Sequence, residues 1–236
     1  PNGTLGDLKS VKVWDPQENQ IINEEYYRYW HRGGTEPSLL KFAFQGDSFR
    51  RLQSSVGNYE TADDASIENY ADFKFTYDDE RRVIEERAAG TACSSCADGI
   101  GTFAFDYFEN PSTDIGLNTW RTRTTETLPD GTTNVVYTNV VGQIMLKVVQ
   151  ERVALPSGQT EIGREWATFH QYDAKGRLIQ TAHPSAITGW DEAYPDLLHL
   201  VGTNYEYLDD AQGLIERRNW YDTSTADDQI AGGVEN

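Results

Sequence analysis

The stretch TFHQYDAKGRLIQT (Thr168–Thr181) consists of an aromatic-rich segment, an acidic turn and an aliphatic return segment. The same order recurs in FKFTYDDERRVIEE (Phe73–Glu86) and NYEYLDDAQGLIER (Asn204–Arg217). In all three, the first acidic residue of the turn stands five positions before the aliphatic residue that opens the return segment; the pairs are Asp78 and Val83, Asp173 and Leu178, and Asp209 and Leu214. A unit this small cannot bury its apolar face alone, so the repetition predicts hairpins stacked side by side.

The outgoing strands carry aromatic residues at every second position. Phe73, Phe75 and Tyr77 show this spacing in one copy, and Tyr205 and Tyr207 show it in another. A period of two places the rings on one face of an extended strand. Aromatic residues suit a pleated, half-buried surface, so the spacing predicts antiparallel β-sheet.

The turn in the first-quoted copy has its own chemical signature. Asp173-Ala174-Lys175-Gly176 predicts a type I turn that Gly176 closes at positive φ, with the Asp173 side chain capping its own turn. Gly213 is expected to play the same part for Asp209. Two weaker copies are predicted at Trp14–Ile22 and Leu128–Thr132.

These residues resemble the units of the bacterial YD-repeat or RHS-repeat family, in which a Tyr-Asp pair precedes a Gly-Arg-Leu-Ile return. Tyr172–Ile179 matches that unit closely, and Tyr77-Asp78 followed by Arg82-Val83-Ile84 is similar to it. The resemblance covers residues 70–236 and, more weakly, residues 1–69. It implies a strip of β-sheet that in longer relatives winds into a hollow shell, used for toxin encapsulation or cell-surface adhesion.

The expected fold class is therefore all-β: antiparallel hairpin repeats that form a curved sheet or shell-like strip, as one continuous module over residues 1–236. Gly46–Ile67 is expected to be irregular, apart from a short turn of helix within Tyr59–Tyr70. A minor helical insertion is predicted near residues 190–199, where the sequence WDEAYPDLLH interrupts the strand pattern.

Composition limits the partners and the location. Acidic residues number 38 against 20 basic residues, and the formal charge of −18 disfavours nucleic acid and anionic membrane surfaces. No stretch approaches the roughly 20 apolar residues of a membrane-spanning helix. The chain begins at Pro1 without a charged-then-apolar leader, so any secretion signal is expected to be removed or upstream. We expect an extracellular or cell-surface protein.

The two cysteines form the spacing Cys93-Ser94-Ser95-Cys96. Such a pair can be a redox couple, half of a zinc site or a small disulfide loop. The glycine-rich sequence that follows opposes the helix that a redox cysteine needs, and the histidines stand singly rather than in zinc-binding pairs. A local disulfide or two free thiols is favoured, and in an exported protein the disulfide is the natural state.

Other ligand sites have weaker signals. The acidic pairs at the turns lack the spaced carboxylates of a calcium loop, which favours solvated turns. Trp190, flanked by Gly189 and Asp191 in the predicted insertion, is the tryptophan selected as a ligand contact. Nucleophile elbows, phosphate loops and zinc-protease motifs are missing from the sequence. We therefore predict no enzyme activity, no cofactor and no metal.

The predicted function is that of a structural β-repeat module of a secreted or cell-surface protein, which builds a shell, scaffold or fibre. A carbohydrate-binding or adhesive module is one alternative, with surface polysaccharide as partner, and a polysaccharide-active enzyme is another. The tail Asp227–Asn236 reads as the lead-in to a segment like Pro1–Trp14. That order predicts self-association or tandem copies of the same module, joined through the unpaired edges of the sheet.

Overall fold

The structure is a computed structural model that describes residues 2–31, 38–90, 99–156 and 160–221. The chain divides into two compact units, of which unit 1 comprises Pro1–Phe105 and Glu126–Gly131, and unit 2 comprises Asp106–Thr125 and Thr132–Asn236. Both units are built of antiparallel strands with little helix, which confirms the all-β class. The single continuous module stays a prediction.

Unit 1 contains a sheet in which strands that follow each other along the chain are hydrogen-bonded neighbours. Its strands are β1 (Ser10–Asp15), β2 (Gln20–Trp30), β3 (Leu39–Phe44), β4 (Phe73–Tyr77), β5 (Val83–Ala89) and the part of β6 (Ile100–Glu109) up to Phe105. The β1–β2 connection is the predicted hairpin at Trp14–Ile22, in which Trp14 pairs with Ile21. Two short helices, α1 (Gly46–Ser55) and α2 (Asp64–Ile67), stand between β3 and β4.

Helix α1 contradicts the prediction that residues 46–67 are irregular. Its Phe49 and Leu52, three positions apart, are fully buried with the aromatic residues of β2 and β3. Its N-terminus is capped from outside, because Asp72 accepts hydrogen bonds from the backbone N–H of Gln45 and from Ser48 Oγ. The cap comes from a residue distant in sequence, and a local reading therefore underestimates this helix.

A buried arginine fixes the segment that follows α1. Arg28 on β2 is 1% exposed. Its guanidinium donates to the carbonyl oxygens of Tyr59 and Ala62 and to Asp64 Oδ1. A buried charge is tolerated only when its donors are paired, so these bonds hold the chain between the two helices against the sheet. α2 and a 3₁₀ turn at Glu68–Tyr70 confirm the short helical turn predicted within Tyr59–Tyr70.

Unit 2 contains a second run of neighbouring antiparallel strands. They are the start of β7 (Thr122–Thr127), then β8 (Thr133–Thr138), β9 (Ile144–Ala154), β10 (Thr160–Tyr172), β11 (Leu178–Ala182) and, beyond an insertion, β14 (Ile215–Arg217). The insertion carries a two-stranded ribbon of β12 (Leu200–Val201) and β13 (Asn204–Tyr205), and a 3₁₀ turn at Pro184–Ala186. No helix in the described ranges is long and apolar enough to cross a membrane.

The core of unit 2 lies between one face of its sheet and this insertion. Cross-strand pairing aligns Tyr137, Leu146, Phe169 and Ala182 in one fully buried row. Further fully buried side chains come from the insertion and complete the core; they are Ala186, Leu197 and Leu198. The insertion therefore supplies part of the apolar surface that the repeated hairpins alone cannot bury.

Two predictions for this region are wrong. Residues 190–199 form turns rather than a helix, because Leu197 and His199 adopt positive φ of 69° and 53°, which a right-handed helix does not allow. Residues 204–217 do not form a hairpin, because β13 pairs with β12 while β14 pairs with β11. Gly213 is needed for space and not for positive φ, since an added Cβ would stand 2.1 Å from Ala186 Cα.

Candidate functional site

The turn between β10 and β11 matches the geometry predicted for the repeat most closely. Asp173 Oδ1 accepts hydrogen bonds from the backbone N–H groups of Lys175 and Arg177, both at 2.9 Å. Asp173 Oδ2 accepts from the Arg177 guanidinium at 2.7 Å. Gly176 has a φ of 77°, and Tyr172 pairs with Leu178 after a bulge. The predicted turn and the positive φ of Gly176 are confirmed.

The turn between β4 and β5 repeats the bonds between the first and fifth residues of this loop. Asp78 Oδ1 accepts from the backbone N–H of Arg82 at 2.9 Å, and Asp78 Oδ2 accepts from its guanidinium at 2.7 Å. Tyr77 pairs with Val83 after a bulge, as in the other copy. Arg81 occupies the position of the turn glycine and adopts a φ of 69°. We call this arrangement, an Asx residue that caps a five-residue loop with a positive-φ residue in fourth place, the capped turn.

A further capped turn joins β8 to β9, and it was not predicted. Asn139 Oδ1 accepts hydrogen bonds from the backbone N–H groups of Val141 and Gln143, at 3.1 and 2.9 Å. Gly142 has a φ of 81°, and the pairing shifts register between Tyr137 and Thr138. Asn replaces Asp here and no Tyr precedes it, so the Tyr-Asp signature is missing. The spacing from Asn139 to Gly142 and Ile144 is nevertheless that of Asp173 to Gly176 and Leu178.

The tyrosine that precedes each Asp reaches sideways to a neighbouring strand. Tyr172 Oη donates to the carbonyl oxygen of Ile144 on β9 at 2.7 Å. In unit 1, Tyr77 Oη donates to the carbonyl oxygen of Leu40 on β3 at 2.9 Å. The Tyr-Asp pair thus has two roles, because the Asp closes its own turn while the Tyr fastens the hairpin to the strand beside it.

Side-chain amides add further links between neighbouring loops of unit 2. Asn118 pairs with the backbone of Tyr172 in both directions, since it donates to the carbonyl oxygen at 2.7 Å and accepts from the N–H at 2.8 Å. Gln143 Nε2 donates to the carbonyl oxygen of Gly176 at 2.8 Å. Adjacent capped turns are therefore joined to one another along this rim of the sheet.

The two capped turns that contain an aspartate, Asp78 and Asp173, favour the ionised form of its carboxylate. Burial alone would raise the pKa of Asp173, but hydrogen bonds from the backbone and guanidinium of Arg177 outweigh it and lower the pKa. The pKa of Asp78 is lowered in the same way by Arg82, against the opposing effect of burial. These carboxylates accept hydrogen bonds that stabilise the turns, and this role differs from that of a catalytic acid or base.

The remaining predicted residues have other surroundings. Phe73 and Phe75 stack on each other, with centroids 6.2 Å apart. Tyr205 packs edge-on against Phe169 at 5.3 Å, and Asp209 accepts from the backbone N–H of Ala211. Tyr207 belongs with the aromatic residues that border the unit 2 core.

Trp190 is half-buried, and its ring lies 5.4 Å from that of Tyr137. That position is typical of a core residue, and its role as a ligand contact stays a prediction. Cys93 and Cys96 lie outside the described residues. Among the residues that are described, no group of three or more His, Cys, Asp or Glu side chains could hold a metal ion.

Comparison with known proteins adds no assignment. No protein-family model matches the chain, and no match is found among curated proteins.

Proposed function

We propose that this chain is a structural β-repeat module of a secreted or cell-surface protein, related to the YD-repeat or RHS-repeat family, and that it contributes shape and contact rather than catalysis. The observation that carries the proposal is the recurrence of one capped turn at Asp78, Asn139 and Asp173. The loops of the three turns have different side chains, and only the residues that set the turn geometry recur. This pattern is typical of a turn with a structural role.

The lateral tyrosines support a sheet that grows by addition of hairpins. Tyr77 and Tyr172 each bond to a backbone carbonyl of another strand in their unit. These bonds add to the backbone ladder without altering it, so a hairpin is fixed to its neighbour at both its strand and its turn. A scaffold, shell or fibre is the expected product of such addition.

The partner that we propose is a second copy of the module or a tandem neighbour. In unit 1, β1 is an edge strand whose one neighbour among the described residues is β2. The Tyr27 N–H donates to the Lys9 carbonyl oxygen at 3.0 Å, so the backbone groups of Lys9 and Val11 face β2. By the alternation of a strand, the N–H of Lys12 faces the outer side of β1. The outward-facing backbone groups of β1 are therefore available for pairing with another strand.

Charge opposes such pairing until it is screened. With a formal charge of −18, separate copies repel each other at low ionic strength. At about 0.5 M salt the Debye length falls to about 4 Å, so short-range strand pairing is expected to prevail. We therefore expect self-association to increase with both protein and salt concentration.

The test is light scattering of the chain at rising concentration in low and high salt, with Lys12→Pro as the edge variant. Proline removes the outward N–H and leaves the β1–β2 ladder intact, so association should weaken about tenfold or more. Lys12→Thr is the matched control, because it removes the same charge and the ion pair with Glu24 but keeps the N–H. A parent chain that stays monomeric at every concentration and salt level would overturn the assembly proposal, and so would equal effects of the two variants.

A further inference from the structure

Unit 2 has an open cavity of about 260 Å³ between the free end of its sheet and the β12–β13 ribbon. The floor is a cross-strand row, in which Gln171 on β10 pairs with Gln180 on β11, and Gln180 pairs with Arg217 on β14. The lining also includes Thr203, in the turn of the ribbon, and Asn204 on β13. No capped turn or lateral tyrosine contributes to this lining.

The uncharged polar groups of the cavity include three side-chain amides, and the fold leaves most of their hydrogen-bonding capacity unused. Gln180 is 8% exposed, and its Oε1 accepts from Arg217 Nε at 3.3 Å. Its Nε2 forms no hydrogen bond with any described residue, and the same holds for the side-chain amides of Gln171 and Asn204. An amide both donates and accepts, which matches a ligand whose own groups do both. Sugar hydroxyls have that property.

The charges in the cavity offset each other. Arg217 and Asp210 are the charged residues of the lining, with Arg217 Nη2 3.9 Å from Asp210 Oδ2. The surrounding protein is strongly acidic, so an anion would be repelled and a cation would find no cluster of carboxylates. This balance favours a neutral ligand.

The apolar part of the wall comes from Tyr205, Leu200 and Leu208. The Tyr205 ring packs edge-on against the ring of Phe169. Burial raises the pKa of Tyr205 to about 12, so its hydroxyl stays protonated and can donate. A pyranose ring presents C–H groups on its faces and hydroxyls at its rim, and it needs such a combination of an aromatic wall and convergent polar groups.

We propose that this cavity binds one neutral pyranose residue of a glycan. Gln171, Gln180 and Asn204 contact its hydroxyls, and Tyr205 contacts its C–H face. The proposal is independent of the scaffold function, since the cavity uses neither the capped turns nor the outer edge of β1.

The experiment records two-dimensional ¹H–¹⁵N spectra of the whole labelled chain during titration with the methyl glycosides of glucose, galactose and mannose. A ligand of this size in an open cavity is expected to bind with a Kd on the order of 1–10 mM. At least one glycoside should give saturable shifts in the side-chain amides of Gln171, Gln180 and Asn204. Glucuronate and glucosamine are the charged comparisons, and they should bind more weakly.

Two variants separate binding from folding. Asn204→Ala removes one amide from an exposed ribbon residue and should raise the Kd about five- to tenfold. Thr203→Tyr keeps every polar group of the floor but fills the cavity from an exposed turn position, and it should abolish the shifts. Gln53→Ala, at an exposed position of α1 in unit 1, is the matched control and should leave the Kd unchanged.

Three outcomes would overturn the proposal. The first is that none of the neutral glycosides shifts these amides saturably at about 100 mM, which excludes the expected affinity range. The second is that the shifts persist in a folded Thr203→Tyr chain, because the site then lies elsewhere. The third is that glucuronate or glucosamine binds more tightly than the neutral glycosides, because charge and not hydroxyl recognition would then decide binding.

Discussion

Replacement of the turn glycines by alanine tests the capped turn directly. Gly142 and Gly176 stand at φ values of 81° and 77° in equivalent turns. An added Cβ at Gly142 meets nothing within 4 Å, and at Gly176 its nearest neighbour is Gln143 Nε2 at an ordinary 3.6 Å. Because neither site is crowded, the cost of alanine is the cost of the left-handed backbone alone.

The magnitude follows from two opposing terms. A residue with a Cβ in the left-handed region loses about 1–2 kcal/mol. Alanine also restricts the unfolded chain, which returns about 0.4–1 kcal/mol. Gly142→Ala and Gly176→Ala should each therefore destabilise unit 2 by up to about 1.5 kcal/mol, with about 0.8 kcal/mol at the centre of the range.

The matched control is Gly189→Ala in the same unit. Gly189 does not have positive φ, and an added Cβ would make an ordinary 3.6 Å contact with Tyr207. The unfolded-state term then acts alone, and this variant should gain about 0.4–1 kcal/mol.

The assay is urea unfolding followed by tryptophan fluorescence. A difference of about 1–2 kcal/mol between the turn variants and Gly189→Ala should separate their midpoints by roughly 0.5–1 M, for a slope of about 2 kcal/mol per molar urea. If Gly142→Ala, Gly176→Ala and Gly189→Ala unfold at the same urea concentration, positive φ is not what holds these turns, and the equivalence of the copies fails.

Two further predictions concern the side chains at the turn between β10 and β11. Tyr172→Phe removes the hydrogen bond to the Ile144 carbonyl and should cost about 0.5–1.5 kcal/mol in the same titration, and an unchanged free energy of unfolding would show that the lateral bond does not stabilise the sheet. The pKa of Asp173 is lowered in the folded state, so folding favours the ionised carboxylate. The stability that the bonds from Arg177 provide is therefore complete above the unfolded pKa of about 4. It is lost as the pH falls through the lower pKa of the folded state. Asparagine can cap this turn as Asn139 caps its own, but it does not ionise. Asp173→Asn should therefore reduce the loss of unfolding free energy below about pH 4, measured by unfolding at a series of pH values. An unfolding free energy that falls with pH as steeply as in the parent would contradict this role.

The class of the fold and two of the capped turns could be predicted from the sequence. Asp173 and Gly176 form their bonds within a loop of five residues, so the relevant interactions are visible in a short window. The same holds for Asp78, whose partner Arg82 stands four positions later. The Asn139 turn lacks the letters Tyr-Asp, so only the spacing of the cap, the positive-φ residue and the return strand identifies it in the sequence.

The strand pairing of the third predicted copy could not be predicted from the sequence of that copy alone. Asn204–Arg217 carries the aromatic alternation, the acidic turn and the aliphatic return of the other copies. Its two halves nevertheless pair with β12 and β11, and one residue of each half, Tyr205 and Ile215, packs against the core around Phe169. Burial of that row outweighs the local preference for a hairpin, because an isolated two-stranded ribbon is marginally stable in water.

The sequence by itself determined the period, the turn chemistry and the antiparallel class, because these depend on interactions between residues within one hairpin. The tertiary structure alone decided which strands are neighbours, why Asp72 caps helix α1, and how Gln171, Gln180 and Asn204 come to line one cavity. Those outcomes join residues that are distant along the chain, and their free energy comes from burial against surfaces that exist only after the sheet has formed.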